Sequence, residues 1–144
     1  MPSSMQLSDM AEAPNLVSMF LMRADVLGDQ PFLSTKKDGA WSALSWNETA
    51  RRVCLIAEHL RNIGLKAGDR VMIVSENRPE WCIADLAIMA AGCVTVPAYT
   101  TNTTRDHLHV LQNAGVKAVI VSTAKLASAL LPAVVQSDSC QHVI

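Results

Sequence analysis

Three short runs, Val71–Val74, Val94–Val96 and Val116–Val121, are rich in β-branched residues and almost wholly apolar. A strand with one wet face alternates apolar with polar residues, whereas a strand covered on both faces does not. An apolar helical pattern separates the first two runs, and an amphipathic one separates the second from the third. Strand, helix, strand, helix, strand is the rhythm of a parallel sheet with crossover helices. The fold class expected is therefore α/β, a mainly parallel sheet with covering helices. The rest of the chain is arranged around Gly68 to Ser122.

The flanking segments carry their own signals. Residues 1–14 are polar and small and read as a flexible arm. Asn15 can cap a helix with apolar positions Leu16, Met19, Phe20 and Met22 or Val26 near helical spacing, ended by Gly28. Phe32–Ser34 and Trp41–Leu44 flank Asp38-Gly39, a strong hairpin signal. This small antiparallel pair is expected at the edge of the main sheet. Ser45 and Glu48 have the spacing of a reciprocal capping box. Behind them Ala50, Val53, Ile56, Ala57, Leu60 and Ile63 form one apolar stripe, and Gly64 suits a left-handed helix end. Lys66 to Asp69 make a turn into the first parallel strand.

Pro79 fits the first turn of a helix that runs to Ala91, with a capping box from Asn77 and Glu80 or a cap at Arg78. That helix is apolar nearly all round and should be mostly buried. Pro97 marks the end of the second strand. Thr103 and Asp106 can box the next helix, with Leu108, Leu111 and Ala114 facing inward. A last helix runs from Thr123 to Leu131 and is weakened by Pro132. His142-Val143-Ile144 reads as the start of a further strand, so the pattern is expected to continue.

Composition narrows the chemistry. Half of the 144 residues are hydrophobic, enough for a real core in about one domain. Twelve basic and 13 acidic residues leave a net charge of −1, which gives no basic surface for nucleic acid or an anionic membrane. Cys54, Cys82, Cys93 and Cys140 form no close pair. Three of them sit in apolar runs, so buried free thiols of a reducing compartment are expected rather than disulfides or a metal site. The amino terminus lacks the pattern of a signal peptide.

Three constellations stand where chemistry is possible. Thr100 to Thr104 lie at a strand's carboxyl end and a helix's amino end, the edge where open parallel sheets bind ligands. Backbone N–H groups there, with hydroxyls beside them, can hold a phosphate. Turn formers and a helix cap use the same residue types and are the commoner arrangement. Glu76, Asn77 and Arg78 follow the first parallel strand, and the arginine suits a carboxylate or phosphate, although a solvated helix start explains them as well. His107 and His109, two apart on a helix, point to different faces and do not make joint metal ligands with Cys93. No Gly-x-Gly-x-x-Gly and no Walker-type loop occurs. Met19, Met22 and Met89 read as core filler.

Several blocks in order resemble one family. Leu44-Ser45-Trp46-Asn47-Glu48, Gly68-Asp69-Arg70-Val71, Asn77-Arg78-Pro79-Glu80-Trp81 and Ala91 to Tyr99 resemble the N-terminal portion of the AMP-forming acyl-CoA synthetases. Within that adenylate-forming superfamily they look most like the long-chain fatty acid–CoA ligases. Val119 to Ser122 and His142 to Ile144 match the next pieces.

The resemblance implies that residues 15–144 are the truncated N-terminal part of the large adenylate-forming domain. It implies a parent enzyme that uses ATP and Mg²⁺ to convert a fatty acid to acyl-AMP, then passes the acyl group to coenzyme A. The family's Gly-rich phosphate loop with its Lys is not in this sequence, so no catalytic and no metal-binding residue is carried over, and the chain alone is expected to be inactive. Coenzyme A is placed by the resemblance near Tyr99, Thr100 and Thr101. The family's arginines after the third strand have only Lys125 as a counterpart between Ser122 and Ala133. A cytoplasmic setting is implied. Peripheral membrane contact and a homodimer or other self-association stay open. Two other readings stay open beside the ligase: a free-standing phosphate- or nucleotide-binding module using residues 100–104, and a structural or oligomerisation segment.

Overall fold

A computed structural model describes residues 13–144, so the arm expected at the amino terminus lies almost wholly outside the described residues. The elements are α1 (Leu16–Leu27), β1 (Pro31–Lys37), β2 (Ala40–Ser45), α2 (Trp46–Asn62), β3 (Arg70–Val74), α3 (Pro79–Ala90), β4 (Val94–Ala98), α4 (Thr104–Ala114), β5 (Val116–Val121), α5 (Ala124–Val135) and β6 (His142–Val143). The main sheet has the order β4-β3-β5-β6, and every pairing in it is parallel.

Helices cover both faces of this sheet. Val71 and Ile73 of β3 and Ala118 of β5 join a core with Phe20, Val53, Leu60, Ile83 and Ile88, side chains of α1, α2 and α3. Met72, Val74 and Val119 point the other way, into a second core with Leu111, Leu126, Leu130 and Ala133 of α4 and α5. The strand alternation thus feeds two cores, which is why β3 carries no polar face. β4 differs from the expectation. It is an edge strand, and Val94 is 49% exposed. Its position also explains how β4 continues through Pro97 to Ala98, since an edge strand can spare an N–H.

The hairpin is not part of the main sheet. β1 and β2 form a separate two-stranded sheet. Asp38 and Gly39 both have positive φ, 50° and 82°, as a tight primed turn requires. The pair is held to the helices by an aromatic cluster. Phe32 stacks on Trp46 at 3.7 Å between ring centroids, and Phe20 lies within 5.9 Å of both. That packing half-buries Phe32, Leu33 and Leu44 without any sheet edge, while Trp41 stays exposed.

The caps follow the sequence with one exception. Asn15 accepts from the Ser18 N–H at 2.8 Å, and Thr103 with Asp106 forms a complete reciprocal box. At α2 only half of the expected box exists. Ser45 accepts from the Glu48 N–H, but the Glu48 carboxylate takes Arg51 and Arg52 at 2.7–2.9 Å instead. Those guanidiniums hold the Glu48 carboxyl down at about 2. The buried stripe of α2 is Thr49, Val53, Ala57 and Leu60. Thr49 enters it because its hydroxyl donates to the Ser45 carbonyl at 2.7 Å. Cys54 and Cys82 are exposed, against expectation, while Cys93 is buried. An apolar run on a helix still has an outer face, and these two thiols lie on it. Among the described residues no helix is long and apolar enough to cross a membrane.

α5 runs past Pro132 to Val135. Proline there removes one helical N–H and crowds the carbonyl four residues back. Leu130 and Ala133, both fully buried, hold the turn against that cost. Pro132→Ala is expected to raise the unfolding free energy by about 1–2 kcal/mol, after allowance for the looser unfolded chain. Urea unfolding checks this, and an unchanged or lower midpoint would refute it.

Candidate functional site

The chain passes from β3 to β4 on one side of the sheet, then crosses to β5 on the other. The carboxyl ends of β3 and β5 therefore flank the point where the winding reverses, the position at which open α/β sheets leave a crevice. Ser75 to Arg78 follow β3 and Ser122 follows β5. The two loops are tied together: the Ser122 hydroxyl donates to the Glu76 carboxylate, and the Ser122 N–H donates to the Val74 carbonyl at 3.1 Å. The bond from Ser122 holds the Glu76 carboxyl below its ordinary value.

Two hollows open at this edge. One, of about 210 Å³, is lined by Ser75, Arg78, Trp81, Ile120, Ser122 and Ile144 among others. The second, of about 310 Å³, lies between the hairpin residues Leu33, Ser34 and Thr35 and the start of α3. Both share Arg78 and Trp81. Arg78 is the N-cap of α3 in extended conformation, with no side-chain cap, and Pro79 follows it. Proline drives the preceding residue out of the helical region, which decides between Arg78 and the Asn77 box in favour of Arg78. The Arg78 Nε donates to Glu80 at 2.8 Å. This bond raises the arginine and lowers the glutamate from their ordinary values. Both side chains are substantially exposed, so the pair adds little to stability.

The hydroxyl-rich loop divides into two parts. Thr103 and Thr104 are structural. The Thr103 N–H and hydroxyl donate to Asp106 at 2.9 and 2.8 Å, which lowers the Asp106 carboxyl. The Thr104 hydroxyl donates to the Ala129 carbonyl at 2.9 Å and ties α4 to α5. Tyr99, Thr100 and Thr101 remain outside these bonds. All three are exposed, directly after β4, with Tyr99 at 81%. The Tyr99 carbonyl accepts from the Asn102 N–H at 3.2 Å and closes the turn.

An open groove of about 500 Å³ runs from Tyr99 and Asn102 along α4, past Arg105, Asp106, His109 and Val110. Arg105 was not singled out by the sequence reading. The signal that marks it is a cation in the first turn of a helix, against the helix dipole.

His107 and His109 do separate, the first 1% exposed and the second on the surface. Cys93 precedes β4, at the opposite end of that strand from Tyr99. Among the described residues no group of three His, Cys, Asp or Glu converges as metal ligands do.

Comparison with known proteins gives the family. The model of the AMP-binding enzyme family matches residues 20–144. A long-chain-fatty-acid–CoA ligase, FadD15 of Mycobacterium tuberculosis, is 43% identical over 76 residues, covering 53% of this chain and 13% of the relative. The N-terminal subdomain of NpsA from Klebsiella oxytoca superposes with a TM-score of 0.72 at 25% identity, over 90% of this chain and 30% of that one. A Mycobacterium tuberculosis fatty acyl CoA synthetase superposes with a TM-score of 0.77 at 22% identity, over 90% of this chain and 26% of that one, and shows the same fold. The chain thus spans a small part of each relative's length. With most of its residues inside the matched region and the same α/β architecture around them, the chain belongs to the AMP-binding enzyme family.

Proposed function

We propose that this chain is the opening part of a fatty acid–CoA ligase of the AMP-forming type. The reading is carried by the 43% identity to a long-chain-fatty-acid–CoA ligase. In the reaction the fatty acid carboxylate attacks the α-phosphorus of ATP and pyrophosphate leaves. The coenzyme A thiol then attacks the acyl carbon and AMP leaves. On this reading the parent enzyme's phosphate-holding and Mg²⁺-holding groups are not among the loops described above. What this chain contributes is the sheet, its two helical layers and one exposed edge. The Tyr99–Thr101 loop is the part we assign to coenzyme A, because its side chains are free of the capping bonds that occupy Thr103 and Thr104.

The full-length protein is expected to release pyrophosphate from ATP only when a fatty acid is present, and to form the thioester when coenzyme A is added. A series of carboxylates of graded chain length identifies the substrate. No carboxylate-dependent pyrophosphate release across fatty and aromatic acids would sink the reading. The 144-residue chain alone is expected to give no turnover. Titration of this chain with ATP and with coenzyme A by calorimetry tests the free-standing module: saturable, stoichiometric ATP binding would favour that reading instead.

A further inference from the structure

The hairpin of β1 and β2 has two open edges, and they are not alike. β1 carries Pro31, Lys36 and Lys37, residue types that keep an edge from recruiting another strand. β2 reads Ala40-Trp41-Ser42-Ala43-Leu44-Ser45, with no charge and no proline. Its first four residues are exposed, Trp41 at 71%. Among the described residues this sheet has no third strand, and no backbone hydrogen bond from outside the hairpin reaches Trp41 or Ala43.

The register decides which groups on that edge are open. Asp38 and Gly39 make a two-residue turn, so the flanking Lys37 and Ala40 bond to each other. Bonded and non-bonded pairs alternate along an antiparallel ladder. Thr35 with Ser42 and Leu33 with Leu44 are therefore bonded pairs, and the N–H and C=O of Trp41 and Ala43 point away from β1. The side chains alternate between faces. Leu33 and Leu44 pack against the core that holds Phe20 and Val53, whereas Trp41 and Ala43 stand on the other face with Lys36 and Ser34.

We propose that β2 pairs with β2 of a second copy of this chain, antiparallel about a two-fold axis at Ser42. Trp41 then lies opposite Ala43 of the second copy, and Ala43 opposite its Trp41. The open N–H and C=O groups of both strands are satisfied by each other, as a self-complementary two-fold contact requires. Each indole packs beside a methyl group, and the two hairpins become one sheet, β1-β2-β2-β1. Charge fits this occupant, because Lys36 and Lys37 of both copies stay on the outer strands and no charged residue lies on either paired strand. A lipid surface would take the same ring, but it would leave the backbone groups of Trp41 and Ala43 unpaired. One strand is a small interface beside the roughly 800 Å² per partner of a standard complex, so the pair dissociates on dilution.

The test uses the full-length protein. Sedimentation over a range of concentrations is expected to show a monomer in exchange with a dimer. Trp41→Lys, which places a charge on the paired edge, should raise the dissociation constant by about tenfold or more. Ala43→Pro, which removes an outward N–H, should do the same. The two-fold axis gives a sharper readout. It sets the Cα atoms of the two Ser42 residues about 4.5 Å apart, within the span of a disulfide. Ser42→Cys in a background with Cys54→Ser and Cys82→Ser should therefore cross-link to a dimer on mild oxidation, and Ala40→Cys in the same background should not. A monomer at all concentrations, with no Ser42→Cys cross-link, would overturn the proposal. A dimer unaffected by Trp41→Lys and Ala43→Pro would be built on another surface and would overturn it too. A monomer whose Trp41 emission shifts to the blue on phosphatidylcholine–phosphatidylglycerol vesicles would assign the edge to a lipid surface instead.

Discussion

Arg70→Ala is expected to lower the unfolding free energy by about 2–4 kcal/mol, a large share of a small domain's stability. The Arg70 guanidinium donates three hydrogen bonds to backbone carbonyls: Nε to Ala114 at 2.7 Å, Nη2 to Gly115 at 2.9 Å and Nη1 to Gly68 at 3.0 Å. The Ala114 and Gly115 carbonyls lie at the end of α4, where helical carbonyls have no intrahelical partner. One side chain at the start of β3 thus closes a helix end and a turn at the amino edge of the sheet. Removing it leaves partly buried acceptors without a donor. Arg70→Lys should recover less than half of the loss, since a single ammonium cannot span three acceptors in the same geometry. Gly115 belongs to the same joint. Its φ is 61°, and a Cβ built there would lie 2.8 Å from the Arg70 Nη2. Guanidinium chloride unfolding at constant slope measures the effect, and a loss below about 1 kcal/mol would show that the joint relaxes around the gap.

Lowering the pH from about 7 to about 5 is expected to destabilise the protein through His107, before the carboxylates begin to titrate. His107 is 1% exposed, and its Nδ1 has no hydrogen-bond partner. Burial lowers its pKa from the ordinary 6.5, and the adjacent Asp106 opposes this more weakly. The unfolded chain therefore takes up a proton at higher pH than the folded one. Stability is fully present above the unfolded value, falls as pH drops below it, and levels off once the folded histidine is protonated as well. The slope for one such group cannot exceed about 1.4 kcal/mol per pH unit. His107→Leu should flatten this part of the profile. It should also raise stability near pH 7 by about 1–2 kcal/mol, because an orphaned buried polar atom disappears at similar volume. A wild-type profile that is flat between pH 7 and 5 would contradict the assignment. The carboxyls of Glu48, Glu76, Glu80 and Asp106 are lowered in the same sense as His107, and their contribution too is lost as pH falls, but only through the acid range.

Most of the fold was legible because its determinants are local. The unalternating runs around Val71, Val94 and Val116 specify strands, and Asp38-Gly39 specifies its turn through the positive φ it tolerates. Thr103 and Asp106 form their box from residues three apart. The edge on which ligands bind follows from the direction of parallel strands and needs no side-chain contact. Less of the site could be read. The pattern itself puts Thr100 to Thr104 at that edge and the resemblance adds only coenzyme A near Tyr99, Thr100 and Thr101, whereas the groove along Arg105 and His109 depends on how α4 is set beside the end of β4.

The failures share a cause as well. Whether Glu48 turns back to its cap or outward to Arg51 and Arg52 depends on competing partners of nearly equal reach. α5 continues through Pro132 because Leu130 and Ala133 are packed against a sheet face supplied by distant residues.

Backbone preference and hydrophobic period act over a few residues, so the chain's own order decided which segments are strands, which are helices, where most of them stop, and that the sheet is parallel. Burial is settled between segments that are far apart in sequence. Only the assembled layers decided that β4 is an edge, that the hairpin packs on helices instead of extending the sheet, that Cys54 and Cys82 face outward, and that Arg70 reaches across to the end of α4. Each of these depends on what stands opposite a residue in space, and no short window of sequence contains that neighbour.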